Sequence, residues 1–143
     1  MGALSSSWVV LGLLSALFAA LVAILGKIGL KDVDPIAATA ARSIVMAIAV
    51  VLVAFLSGRL GGLEAVAPRA WTMIVLSGLA GAASWLAYFA ALQLGQASGV
   101  SALDRLSVVF VVVLAGLFLG EGLEWVKLLG AGFVVAGVLL ITR

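Results

Sequence analysis

The stretch SSSWVVLGLLSALFAALVAILGKIGL, residues 5–30, decides what kind of protein this is. From Trp8 to Gly26 it carries no charge, and its apolar run reaches the ~20 residues that a helix needs to cross a hydrocarbon core of about 30 Å. A secretory leader would open with a basic segment and stop after an apolar run of about 7–15 residues. This stretch does neither, and it is read as a retained first transmembrane helix. The remainder of the chain has the same character. Of 143 residues, 66% are hydrophobic and 10% charged, against about a half and about a quarter in soluble domains. Too few polar side chains exist to cover a soluble fold of this size. The composition describes an all-α integral membrane protein, one domain over residues 1–143.

Working outward from the first helix, four further runs have crossing length. The expected helices are about Trp8–Leu30, Pro35–Leu56, Ala70–Leu92, Ser98–Leu119 and Glu124–Ile141. Punctuation between them is consistent with helix ends. In KDVDP, Asp34 is an N-cap candidate and Pro35 suits the first helical position, where a missing N–H costs nothing. SGRLGGLEAVAPR is the longest connection, rich in Gly and closed by Pro68. Glu121 and Glu124 suit the positive end of the last helix.

Several function classes drop out at this stage. Cys and His are both absent, which removes disulfides, thiolate chemistry, His-ligated metals and catalytic triads. Net charge is +2 with no basic run to track a phosphate backbone, so no nucleic-acid partner is expected. Nucleotide-binding and metalloprotease motifs are missing, and the chain is read as neither an enzyme nor an ATP-driven pump. No cofactor and no metal are implied. The expected partners are the lipid bilayer, a small-molecule substrate and a second copy of the chain.

Five crossings put the termini on opposite sides. The side of the N-terminus holds Arg59, Arg69 and Lys127; the other holds Lys27, Lys31 and Arg143. The charge bias that normally orients a membrane protein is therefore balanced. Either something else fixes the orientation, or the chain inserts both ways and pairs as an antiparallel homodimer. Small residues recur at helical spacing on the first, third and last helices, where they let backbones approach closely in lipid. The stripe from Gly130 to Gly137 is the candidate dimer contact.

Ionisable residues within the spans carry the functional question. Each charge near the bilayer centre costs about 2.5–3.5 kcal/mol on insertion scales, so it should face protein or water. At 1.5 Å per residue, Arg42 lies about 10 Å and Asp104 about 9 Å from the same membrane side. An Arg42–Asp104 pair is possible at that common depth, either as a structural clasp or as part of a binding site. Trp85, about 11–12 Å deep, and Tyr88, about 7 Å deep, fall in the same half of the bilayer. Lys27 and Gln93 lie near its rim. Arg105 points about 100° away from Asp104 around the helix, and it either snorkels to the headgroups or lines the mouth of a pathway.

Three segments together resemble a known family: LLSALFAALVAILGKIGLKDVDPIAATAARSIV, SGLAGAASWLAYFAALQLG and FLGEGLEWVKLLGAGFVVAGVLLI. The chain is similar, over essentially its whole length, to one repeat of the drug/metabolite transporter superfamily, of the EamA-like kind. The resemblance is to the half-size, five-helix bacterial and archaeal branch. It implies one EamA-like repeat in the cytoplasmic membrane of a prokaryote, with Lys27, Arg42 and Glu121 at positions where such repeats commonly carry these residue types. Larger relatives hold substrate between two inverted repeats, which an antiparallel homodimer would imitate. Two departures stand out. Many such repeats have a Pro in the fourth helix, where this chain reads DRLSVVF, so that helix is expected to run unbroken. Related small multidrug exporters carry an essential Glu in the first helix, and this first helix has no acid.

The resulting expectation is a secondary transporter or exporter of a small polar metabolite, working by alternating access. Arg42 and Asp104 would bind or gate substrate, Trp85 and Tyr88 would line the pocket, and Lys27, Gln93 and Arg105 would stand at the pathway mouth. The excess of cations favours an anionic or zwitterionic substrate. The alternatives are a flippase for a lipid-linked headgroup, and a non-transporting scaffold or partner subunit.

Overall fold

The computed structural model describes residues 2–143, with side chains from Ser7 onward. Regular structure among the described residues is helical: α1 (Gly2–Gly29), α2 (Pro35–Leu56), a short 3₁₀ segment (Leu60–Ala65), α3 (Pro68–Leu94), α4 (Ala97–Asp104), α5 (Ser107–Phe118) and α6 (Trp125–Ile141). Four stretches are long and apolar enough to cross a membrane: Ser7–Gly29, Pro35–Leu56, Pro68–Leu94 and Ala97–Phe118. α6 has 17 residues, and at 1.5 Å per residue its length of about 25 Å is at the lower limit for a crossing. The helices sort into two compact units, one of residues 29–93 and one of residues 1–28 with 94–143.

In the unit of residues 29–93, both ends of α2 are closed by local chemistry. Asp34 Oδ1 accepts from the backbone N–H groups of Ile36 and Ala37 at 3.0 and 2.9 Å, with Pro35 in the first turn. This satisfies donors that neither helix nor lipid could satisfy. At the other end the Gly58 N–H reaches the Phe55 carbonyl and the Arg59 N–H reaches that of Ala54, each at 2.9 Å. That pairing is a Schellman turn, and it requires the left-handed φ of +67° that Gly58 adopts. Pro68 begins α3 rather than ending the loop before it, so α3 starts earlier than the apolar run alone suggests. Thr39, the buried polar residue of α2, returns its hydroxyl to the Pro35 carbonyl at 2.7 Å.

In the other unit, α5 and α6 form a hairpin. Gly120, at φ +67°, reverses the chain, and the Glu121 N–H reaches back to the Ala115 carbonyl at 3.2 Å. Leu123 then folds over Gly116: a Cβ there would meet Leu123 Cγ and Cδ2 at 2.8 Å. Glu124 occupies the N-cap position of α6 without a side-chain capping bond. Its backbone carbonyl accepts from Lys127 and Leu128. Ala131 and Val138, two turns apart, form the buried face of α6.

The expected unbroken fourth helix is corrected here. The span is interrupted after Asp104, and the interruption is a change of hydrogen-bond register. Arg105 and Leu106 donate to Ala102 and Leu103 at 3.1 and 3.0 Å; Val108 and Val109 donate to Arg105 and Leu106 at 3.1 and 2.9 Å. These are i→i−3 bonds, and Arg105 and Leu106 have the matching dihedrals, with ψ of −13° and −19°. A 3₁₀ turn takes three residues instead of 3.6, so α5 continues the span with its faces rotated relative to α4. No proline is required for a break of this kind.

Gly116→Ala should lower the unfolding free energy measured in detergent by about 1–2 kcal/mol through overpacking against Leu123. Adding Leu123→Ala should recover part of that loss. Additive losses in the double variant would show that the two positions are not in contact.

Candidate functional site

The unit of residues 29–93 places a cation on an aromatic platform. Trp85, Tyr88 and Phe89 are spaced at i, i+3 and i+4, which puts all three on one side of α3. Their rings pack edge to face or tilted, with centroids 5.6 Å apart for Trp85–Tyr88, 5.9 Å for Trp85–Phe89 and 6.3 Å for Tyr88–Phe89. Phe89 is 4% exposed and anchors the group. Arg42, from α2, lays its guanidinium over this surface. Its Cζ stands 3.6 Å from the Trp85 ring centroid and 5.4 Å from that of Phe89. The negative face of an indole ring attracts a cation at this distance by about 0.5–2 kcal/mol, most where water is excluded.

The platform holds the guanidinium in position without saturating it. Arg42 Nη1 is buried and has no hydrogen-bond partner among the described residues. Buried donors are paired in the great majority of proteins, which sets this one apart. A guanidinium stacked by its face still presents its in-plane N–H groups along the edge, where a carboxylate would accept from them.

The rim of this unit is defined by one further bond. Gln93 Nε2 donates to the Val33 carbonyl at 3.1 Å, which ties the end of α3 to the turn before α2. Arg42 lies seven residues into α2, about 10 Å inward from that rim. Phe89 escaped the sequence reading, although its spacing of four from Trp85 is the signal that could have found it.

In the other unit, Lys27 Nζ donates to the Gly95 carbonyl at 2.8 Å, joining the end of α1 to the connection before α4. Asp104 is the last residue of α4 and Arg105 the first of the tightened turn. Arg105 lines an open cavity of about 560 Å³ between α1 and α4. Gly130 is exposed, whereas Gly137 is half-buried beside Val138. A Cβ added at either glycine would meet no neighbour within 4 Å, so both positions leave room for a packing partner. Among the described residues no group of acidic, His or Cys side chains could hold a metal ion.

Comparison with known proteins decides the family. Residues 6–143 match the model of the EamA-like transporter family. The chain belongs to the EamA-like transporter family. A curated relative from Sinorhizobium sp, described as an uncharacterized transporter in the cobO 3′ region, is 42% identical over 138 residues, covering 96% of this chain and 98% of its own length. No solved structure matches the chain. This EamA-like protein is therefore a multi-pass membrane transporter of a prokaryote.

The balance of forces at Arg42 gives a direct expectation. A cation at this depth costs about 2.5–3.5 kcal/mol, more than the ~2 kcal/mol its stacking can return. Arg42→Met should leave the melting temperature of the ligand-free protein unchanged or raised, whereas Trp85→Ala should lower its stability by about 2 kcal/mol. Thermal unfolding in detergent reads both. A clear destabilisation by Arg42→Met would show that Arg42 serves as a structural tie.

Proposed function

We propose that this transporter is a secondary carrier of a small polar metabolite bearing a carboxylate, and that Arg42 is its anchoring cation. The observation that carries the reading is the buried, unpaired Nη1 of Arg42 on the face of Trp85. A bound carboxylate would convert a costly buried donor into a charge-assisted hydrogen bond, which is worth roughly twice a neutral one. Trp85 fixes the plane of the guanidinium, Tyr88 walls the site, and Gln93 braces its rim through the bond to the Val33 carbonyl; Lys27, proposed for a pathway mouth, is held within its own unit by the Gly95 carbonyl. Asp104, in the other unit, is proposed as a second substrate-binding or gating charge on its own span.

Alternating access follows from the same economy of parts. One EamA-like repeat with balanced loop charges supports an antiparallel homodimer, in which each copy offers its polar half to one membrane face. The two halves would open in turn around the bound substrate. Gly130 and Gly137 remain the proposed packing positions of such a pair.

A thermal-stability screen of the purified protein against amino acids and organic acids tests the site. A true ligand should raise the melting temperature of wild type, because it binds only the folded state. It should fail to do so for Arg42→Met. Equal stabilisation of both proteins would end the assignment of Arg42, and full uptake into proteoliposomes by an Arg42→Ala, Asp104→Ala double variant would end the proposed transport roles of the two charges.

Orientation is tested separately. Because the sequence contains no Cys, single Cys residues added near either terminus are the sole targets of an impermeant maleimide. Labelling of both termini from outside intact cells is expected. Labelling of one terminus alone would refute insertion in two directions.

A further inference from the structure

We infer that the cavity between α1 and α4 is a binding site for an amphiphilic monoanion, an aliphatic carboxylate whose head is held by Arg105. This inference is independent of the Arg42 reading and concerns the unit of residues 1–28 and 94–143. One wall of the cavity is α1, through Ala16, Ala20 and Ala23 at successive turns; the other is α4, through Ser98, Ser101 and Arg105. Ser101 and Ser98 precede Arg105 by four and seven residues, which stacks all three on one face of α4. The methyl side chains of α1 are what leave room there. A volume of about 560 Å³ falls in the range of small-molecule sites.

The charge of Arg105 says what occupies that space. Arg105 is eight residues beyond the start of α4, about 12 Å inward by helical rise. A cation at such depth needs a counter-charge, a carbonyl or water. Among the described residues its guanidinium has no ion pair and no hydrogen bond. Its neighbour Asp104 lies on a different face of the helix. Arg105 is exposed and the remaining lining is methyl, methylene and hydroxyl, so the wall leaves the guanidinium open to an anion that enters the cavity. The apolar wall of α1 then receives the ligand's aliphatic part, and the two serine hydroxyls line the path from the rim to the cation.

The turn after Asp104 contributes to this geometry. Because Arg105 starts the i→i−3 segment, its side chain stays on the α4 face while α5 rotates away. An uninterrupted helix would carry the α4 face on into α5, whose side chains at that level are aliphatic.

The test uses the full chain reconstituted in phosphatidylcholine vesicles, with stearate spin-labelled near its methyl end as the probe. Above the pKa of the fatty acid in the bilayer, electron paramagnetic resonance should show stearate motionally restricted with about fivefold preference over spin-labelled phosphatidylcholine, the ratio expected for one partly exposed ion pair. Arg105→Gln should abolish the preference and Arg105→Lys should retain most of it. Ala20→Leu, which fills the cavity and leaves the charge, should also abolish it, and it decides the matter if Arg105→Gln does not fold. Arg42→Met should have no effect. The inference is overturned if wild type shows no preference, if Arg105→Gln or Ala20→Leu keeps it, or if Arg42→Met removes it. Equal preference for spin-labelled phosphatidylglycerol would also overturn it, by making the occupant an anionic bilayer lipid.

Discussion

Hydrocarbon supplies no hydrogen bonds, and the local design of this chain answers that constraint at several points where a polar group could be left alone. Helices satisfy their own interiors, so the risk is concentrated at helix ends and at hydroxyls. Asp34 closes the start of α2 and the Gly58 turn closes its end. Thr39, Ser43, Thr72 and Thr142 each return a hydroxyl to the carbonyl four residues back. Lys27 and Gln93 reach backbone carbonyls across their respective units. Such thorough accounting makes the exceptions informative.

Among the described residues two arginines within the spans stand out, and they are treated differently. Arg42 is held over an indole ring, which lowers the cost of desolvation without consuming the donors at the guanidinium's edge. Arg105 is held by nothing polar and opens onto a cavity. A carrier needs binding groups that are oriented but unsatisfied, since a group already paired would have to break that bond before gripping its cargo. In the anchoring role proposed for Arg42, stacking would meet this need, because the ring restrains the plane of the cation and leaves its rim available. The aromatic triad on α3 is therefore a positioning device as much as a packing one.

The interruption of the fourth span has a related logic. A proline is the usual means of breaking a membrane helix, because it deletes a donor and clashes with the preceding turn. Here the same result comes from a switch to i→i−3 bonding at Arg105 and Leu106, with the N–H groups of Arg105, Leu106, Val108, Val109 and Phe110 each still finding a carbonyl. A turn of this kind changes which side chains face which neighbours and exposes little backbone. It also puts the adjacent charges Asp104 and Arg105 at the one place in the span where the helix changes face. Membrane carriers in general place irregular backbone where it lines a cavity, for the same reason.

Much of this was legible in the sequence because it depends on local physics. The apolar run around Trp8–Gly26 and the low charge content established a membrane protein, since composition alone determines whether a chain can be covered by water. Asp34–Pro35 marked the start of α2, and Arg42, Trp85 and Tyr88 were identifiable as polar or amphipathic groups at a common depth because residue count converts directly to depth along a helix. What the sequence left open required knowledge of rotation and approach. Which ring Arg42 chooses and that Phe89 completes the platform both depend on how helices face one another. The break after Asp104 was misjudged because a 3₁₀ turn without proline has no single-residue signature: it reflects many weak preferences weighed together in the folded chain. Sequence thus determined the medium, the spans and their ends, which are set within a turn or two of backbone. Tertiary structure alone decided which side chains meet, because contact depends on the azimuth of each helix, and a change of one residue per turn redirects it.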